Sequence, residues 1–180
     1  MQRFRTLDDL LDHLRVLGIT ASVEMRMLTE LDHGLQCAAL LERDHPGDVE
    51  LQMAGLIHDL AHPWDGPGQP RHAAMGAEAV RGLLGDRVAE LIGGHVKAKR
   101  YLVTVDPTYR EQLSGDSIMT LAAQGGNFTQ QETHIFRAQP NWEAMVELRC
   151  ADDAAKVPGA QVPGLDHWLA ALRSVVHRRR

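Results

Sequence analysis

The chain of 180 residues has only two cysteines, Cys37 and Cys150. At most one bridge could form, so no disulfide framework holds it together. Aromatic residues are scarce, at 4%. No apolar run approaches the roughly 18 residues of a membrane-spanning helix, which excludes that class. An excess of positive charge is also missing. Lysine and arginine total 19 against 24 aspartates and glutamates, a net charge of -5, so a nucleic-acid-binding surface across the whole chain is not expected. The first 18 residues are charged and amphipathic, without a signal peptide's apolar stretch and small-residue cleavage site. The expectation is a soluble, cytoplasmic protein without membrane or nucleic-acid partners. With 44% hydrophobic and 24% charged residues, the composition is that of one globular domain spanning residues 1–180.

What the chain does have is histidine, ten in all. Histidine is the commonest metal ligand and the side chain best matched to proton transfer near neutral pH. Composition does not separate those uses from surface scatter, but position does.

Helical periodicity runs from end to end. Thr6 can cap a helix to about Leu17, with Asp8 and Asp9 in its positive first turn. A longer helix is predicted over Ser22 to Arg43, where Leu28, Leu31 and Leu35 form a core stripe. Met25 and Met27 read as core or pocket wall. Pro46-Gly47-Asp48 breaks the chain and caps a helix ending near Leu60, and Pro63 to Pro70 reads as a loop. Further helices fit Arg71–Leu84, Asp86–Val103, Ser114–Ala123, Thr129–Ala138, Asn141 to about Asp153, and Leu165–His177. Tyr101–Val105 is the one plausible strand. The fold class is all-α.

The chemistry concentrates in Leu56-Ile57-His58-Asp59-Leu60-Ala61-His62. Apolar neighbours place a His-Asp pair near the core, where a charge requires a partner or a metal. His58 and His62 have the i, i+4 spacing of a zinc-protease helix, but that motif requires Glu after the first His, and here Asp59 follows. His33, His72, His95 and Asp152 extend the set to four histidines and two carboxylates on five helices. Any one of them alone could be a surface residue or a hydrogen-bonded core residue. Together they can feed two metals, with Asp59 as the bridge. Mixed nitrogen and oxygen donors suit iron, manganese or zinc rather than a thiolate-seeking metal.

The order His33 … His58-Asp59 … Asp152 resembles the HD-domain superfamily, a helical, metal-dependent fold. His72 and His95 match its two-metal branch. The stretches Leu31–Ala38, Leu56–His62, His95–Leu102, Leu113–Gly126 and Val157-Pro158-Gly159 or Val162-Pro163-Gly164 resemble most closely the PhnZ-like mixed-valent di-iron oxygenases. That resemblance covers about Glu30 to Trp168. It implies an HD-domain helical bundle with two iron ions, Fe(II)/Fe(III), and O2 as co-substrate. The implied reaction is cleavage of the C–P bond of a 1-hydroxyalkylphosphonate, a small-molecule substrate, to phosphate and a carboxylate. One iron would take His33, His58, Asp59 and Asp152, the other Asp59, His72 and His95. His62 would be a second-sphere histidine beside the oxygen site. Lys99, Ser117 and Arg149 fall where the family grips the phosphonate. Lys99 is i+4 from His95 and Arg149 is i−3 from Asp152, so each projects beside a ligand.

In relatives acting on an aminated substrate, a Tyr and a Glu stand ten and seven residues before the first histidine. Here those positions hold Val23 and Arg26. If the helix continues back from His33, Arg26 shares its face. It then either lines the pocket and disfavours an amine, leaving Glu24 as the other candidate, or points to solvent and pairs with Glu30. The alternative function is an HD phosphohydrolase acting on a nucleotide or phosphoester, with the same ligands generating a metal-bound hydroxide.

Overall fold

A computed structural model describes residues 3–22, 27–65 and 71–177. Among them no strand forms. The elements are α1 (Leu7–Leu17), α2 (Glu30–Asp44), α3 (Val49–Ile57), α4 (His62–Asp65), α5 (His72–Leu84), α6 (Asp86–Val105), α7 (Tyr109–Gln112), α8 (Gly115–Ala123), α9 (Gln130–Arg137), α10 (Trp142–Ala154) and α11 (Leu165–His177). The all-α expectation holds. Tyr101–Val105, read as a strand, is the last turn of α6, where Tyr101 and Val103 bury their side chains.

Helix starts follow local chemistry. Thr6 and Thr129 each close a capping box, with Asp9 and Glu132 respectively. Asp48 accepts from the Leu51 amide and caps α3. Asn141 precedes α10 but does not cap it. Its side chain accepts from Arg87 and donates to Glu90 instead.

The largest departure from the sequence reading is α2, which begins at Glu30 and not at Ser22. Thr29 accepts from the Asp32 amide while the Asp32 carboxylate bonds back to the Thr29 amide. This box fixes the first turn, and Thr29 itself is extended and bridged to Ala21. Leu28 is buried outside the helix, and Met27, read as core, is 79% exposed. At the other end of the His-Asp segment, α3 stops at Ile57. Pro63 then sits inside α4 instead of terminating a helix, at a first-turn position where its missing N–H costs nothing.

The core is one continuous cluster from Phe4 to Val175, and a small satellite of Val103, Tyr109, Leu113 and Leu121 lies under α7 and α8. Its main pairings are α5 on α6 and α2 on α3, with α10 laid across α6 and α2. The α2–α3 crossing is tight because Gly34 faces the Leu56 carbonyl, where any Cβ would collide. Gly85, at φ 107, makes the sharp turn from α5 into α6. The exit of α10 is pinned to α2: Gln36 exchanges two hydrogen bonds with the backbone of Val157, at 3.0 and 3.1 Å. Among the described residues, no helix is long and apolar enough to cross a membrane.

Candidate metal centre

Five segments converge on one buried point. The helix α2 contributes His33, the end of α3 contributes His58 with Asp59 just beyond it, and α5 contributes its first residue, His72. His95 comes from the middle of α6 and Asp152 from the last turn of α10. All six side chains are buried. Their donor atoms form two groups, His33, His58, Asp59 and Asp152 in one and Asp59, His72 and His95 in the other, each with its atoms within 4.8 Å of one another.

Asp59 is common to both because its two oxygens point in opposite directions. Oδ2 lies 3.2 Å from His58 Nε2 and 3.6 Å from His33 Nε2. Oδ1 lies 3.6 Å from Nε2 of both His72 and His95. The segment allows this because α3 has ended. Tight turns follow, with the Leu60 amide on the Ile57 carbonyl and the His62 amide on that of Asp59. Adjacent residues there need not diverge as they would on a continuous helix. For the same reason His58 and His62 are not two positions of one helix, and the zinc-protease geometry is absent.

The imidazoles are oriented from behind. Nδ1 of His33, His58 and His95 faces the carbonyls of Ala155, Gly55 and Ile92, at 2.9, 2.9 and 2.7 Å. An Nδ1–H donating to a carbonyl leaves Nε2 as a lone pair. Yet Nε2 of His33 stands 3.2 Å from Nε2 of His58, and the same distance separates His72 from His95. Two lone pairs repel at that distance unless a cation lies between or beside them. Asp59 Oδ1 is likewise buried with no hydrogen-bond partner among the described residues. Each feature is costly in an empty protein interior and is relieved by a metal ion, so the residues present fit two metals.

The carboxylates draw positive charge to the same point, whether as a proton on His58 or as a metal ion. Burial works against the charged form of His58, but the Asp59 and Asp152 carboxylates outweigh it and hold the imidazole well above its usual range. Burial also opposes ionisation of Asp59 and Asp152. His58 and His62 keep Asp59 well below the ordinary carboxylate range, and Arg149 and Lys156 do the same for Asp152. Burial pushes His95 well below its usual value, so it stands as a neutral donor.

Lys99, Ser117 and Arg149 are all buried and form a connected set beside the cluster. Lys99 Nζ donates to Thr120 Oγ1 at 3.0 Å and reaches the Ser117 carbonyl at 3.4 Å. Arg149 Nη2 lies 3.4 Å from Ser117 Oγ, while Nη1 donates to Asp152 Oδ2 at 2.6 Å. Its other N–H groups go to Asp153 and to the Tyr109 hydroxyl. Arg149 therefore holds the Asp152 carboxylate by one oxygen, leaving Oδ1 facing His33 at 3.2 Å.

The sequence placed Glu30 only as a surface partner of Arg26, but it is buried with Oε2 3.4 Å from His62 Nδ1. The available signal was its place three residues before His33, on the same helix face. The sequence reading overlooked Thr120, Tyr109 and Asp153. Val23, Glu24, Met25 and Arg26 lie outside the described residues. The helical spacing that linked Arg26 to His33 does not apply, since α2 starts at Glu30.

The chain is 33% identical over 162 residues to the hydroxymethylphosphonate dioxygenase of Gimesia maris, covering 82% of this chain and 77% of that protein. It is 28% identical over 159 residues to the 1-hydroxy-2-(trimethylamino)ethylphosphonate dioxygenase (glycine-betaine-forming) of Leisingera caerulea, covering 84% and 81%. It is 30% identical over 151 residues to an uncharacterized protein of Acanthamoeba polyphaga mimivirus, covering 78% and 68%. No family model matches it.

Proposed function

This chain belongs to the family of the Gimesia maris hydroxymethylphosphonate dioxygenase, and from that premise we propose that it uses O2 to break the C–P bond of a 1-hydroxyalkylphosphonate. The products are phosphate and the corresponding carboxylate. For hydroxymethylphosphonate these are phosphate and formate, a balance that needs no external reductant. The observation that carries the reading is the Asp59 carboxylate, whose Oδ2 faces the Nε2 atoms of His33 and His58 while Oδ1 faces those of His72, His95 and His62. The contiguous His58-Asp59, with His33 before and Asp152 after, supports reading the helices as an HD domain.

In this proposal His33, His58, Asp59 and Asp152 hold one iron and Asp59, His72 and His95 the other, as an Fe(II)/Fe(III) pair. Iron supplies O2 activation and oxidation at C1, which no side chain provides. The chain's residues do the rest. The backbone carbonyls behind His33, His58 and His95 fix the rings so that no reorganisation is needed during turnover. Lys99 offers the phosphonate dianion a charge-assisted hydrogen bond in a buried site, and the Ser117 hydroxyl adds a neutral one. Arg149 holds Asp152 in place and contributes its Nη2 side toward Ser117. The His62 imidazole lies on the Oδ1 side of Asp59, at 3.5 Å, where it can hold a proton beside the reacting centre. Burial of the whole cluster excludes water and strengthens each of these interactions.

Anaerobic loading with iron, followed by O2 and hydroxymethylphosphonate, tests the proposal. One phosphate and one formate should appear per O2 consumed, and spectroscopy should show an antiferromagnetically coupled pair. Phosphate release without O2 from a nucleotide or phosphoester would establish the phosphohydrolase instead. The sequence difference alone, Arg26 where an enzyme acting on the aminated substrate has Glu, carries a narrower expectation, weak turnover of 2-amino-1-hydroxyethylphosphonate. Efficient formation of glycine from it would shift the amine partner to Glu24.

A further inference from the structure

Glu30 is the first residue of α2, a position where an acidic side chain ordinarily sits in water and favours the helix dipole. Here its side chain is only 1% exposed. Capping does not account for that, since Thr29 and Asp32 already close the N-terminus between them. Burying a carboxylate is costly unless it is matched by a specific partner.

The titratable group facing it is His62. Glu30 Oε2 stands 3.4 Å from Nδ1 of that imidazole, and Nε2 of the same ring stands 3.5 Å from Asp59 Oδ1. The ring also meets His72 edge-on, with centroids 4.3 Å apart. His62 is thus bracketed, one nitrogen toward Glu30 and the other toward the Asp59–His72–His95 side of the cluster. Glu30 is one turn before His33 on the same helix face. A single rigid element therefore delivers a candidate ligand to one side of the cluster and a carboxylate to the histidine on the other.

We propose that Glu30 is a positioning residue that accepts the Nδ1–H of His62, fixing the ring so that Nε2 faces the Asp59 Oδ1 side of the cluster. This rests on the reading of the cluster as a di-metal centre. At 3.4 Å the contact is longer than a good N–H···O bond, and such contacts commonly tighten when a site is assembled. The carboxylate behind an imidazole decides which nitrogen carries the proton and where the ring points, and loss of such a partner typically costs about ten- to a hundred-fold in activity or metal affinity.

The test compares wild type, Glu30→Ala and Glu30→Gln, each loaded with Zn(II), a diamagnetic stand-in for iron. The Nδ1–H proton resonance of His62 is assigned by its loss in His62→Ala. The proposal expects this resonance in wild type and its disappearance in Glu30→Ala. In Glu30→Gln it should persist but move upfield, because a neutral amide oxygen makes the weaker bond. Metal content should stay at two per chain in all three proteins. With iron and hydroxymethylphosphonate, Glu30→Ala should lose about ten-fold or more in kcat at unchanged KM, and Glu30→Gln should recover most of it. A resonance that persists in Glu30→Ala or stays unmoved in Glu30→Gln overturns the proposal, as does unchanged kcat in a folded Glu30→Ala. Loss of one metal equivalent from both variants also overturns it, making Glu30 a ligand. Should Glu30→Ala fail to fold, the Glu30→Gln resonance decides. The resonance and metal readouts involve no phosphonate, so a failure of the proposed reaction is distinguishable from a failure here.

Discussion

Asp59 is the residue on which both halves of the cluster depend, since its two oxygens face different sets of imidazoles. Replacing it with Ala should remove most of the bound metal from both positions, as measured by elemental analysis after loading and desalting. Asp152→Ala should spare the His72–His95 side, because Asp152 belongs to one group only. Lys99 has a different role. Its ammonium is buried at 2% exposure and is fixed by Thr120 and the Ser117 carbonyl, so a volume-matched Lys99→Met is the appropriate change. It should leave metal content intact and raise KM for the phosphonate by roughly ten-fold, the consequence of losing about 1.5–3 kcal/mol of charge-assisted bonding. The sequence named both residues in these roles, but gave Glu30 only as a surface partner of Arg26. Whether a glutamate beside a helix cap faces water or an imidazole is decided by what packs over it, and nothing local records that.

At the scale of elements, the approach of α2 to α3 brings His33 and His58 together, and Gly34 permits it. Gly34→Ala should push the helices apart, destabilise the protein by about 1–3 kcal/mol as other overpacked contacts do, and reduce metal loading. Thermal melting and metal analysis on one preparation check both. The junction of α3 with α6 is electrostatic. Arg87 on α6 donates to both oxygens of the Asp48 carboxylate, which also caps α3, and this bonding lowers the Asp48 pKa. A carboxyl held below its unfolded value, about 3.9, contributes stability that is present above that pH and lost as the pH falls through the folded value. The pair is partly exposed, so after solvent screening it is worth no more than about 1 kcal/mol. Urea unfolding of wild type and Arg87→Ala should therefore differ by that amount near pH 6 and converge toward roughly pH 3. The start of α2 shows how an element boundary is misjudged. Leu28, Leu31 and Leu35 continue a helical apolar pattern backward past Thr29, but the Thr29–Asp32 capping box ends the helix whatever the pattern suggests.

At the scale of the whole molecule, the candidate metal centre and the hydrophobic core are one body. Cys37 is wholly buried in that core, on α2, and burial pushes its thiol up to about 12. Cys150 is exposed on α10. A thiol reagent at neutral pH should therefore label one cysteine quickly and the other only when the molecule opens. Metal that binds only the folded chain stabilises it by about 2.7 kcal/mol at a hundred-fold excess over Kd, so loading should slow the second labelling by about a hundred-fold. Labelling of Cys37 at an unchanged rate with and without metal would mean that the centre is not coupled to global stability.

The sequence by itself determined the helical class, most caps and the identity of six candidate ligands. Periodicity, capping chemistry and the rarity of His-Asp pairs among apolar neighbours are all local signals. It also put Lys99 and Arg149 beside ligands, because i+4 and i−3 spacing on a helix is fixed geometry. Only the tertiary structure decided that His33, His58, Asp59, His72, His95 and Asp152 meet at one point. It alone turned the two oxygens of Asp59 in opposite directions, committed most of Arg149 to carboxylates and swung Glu30 inward onto His62. Those outcomes depend on helix crossings, and a crossing is set by the shapes of two surfaces far apart in the chain, such as Gly34 against the Leu56 carbonyl.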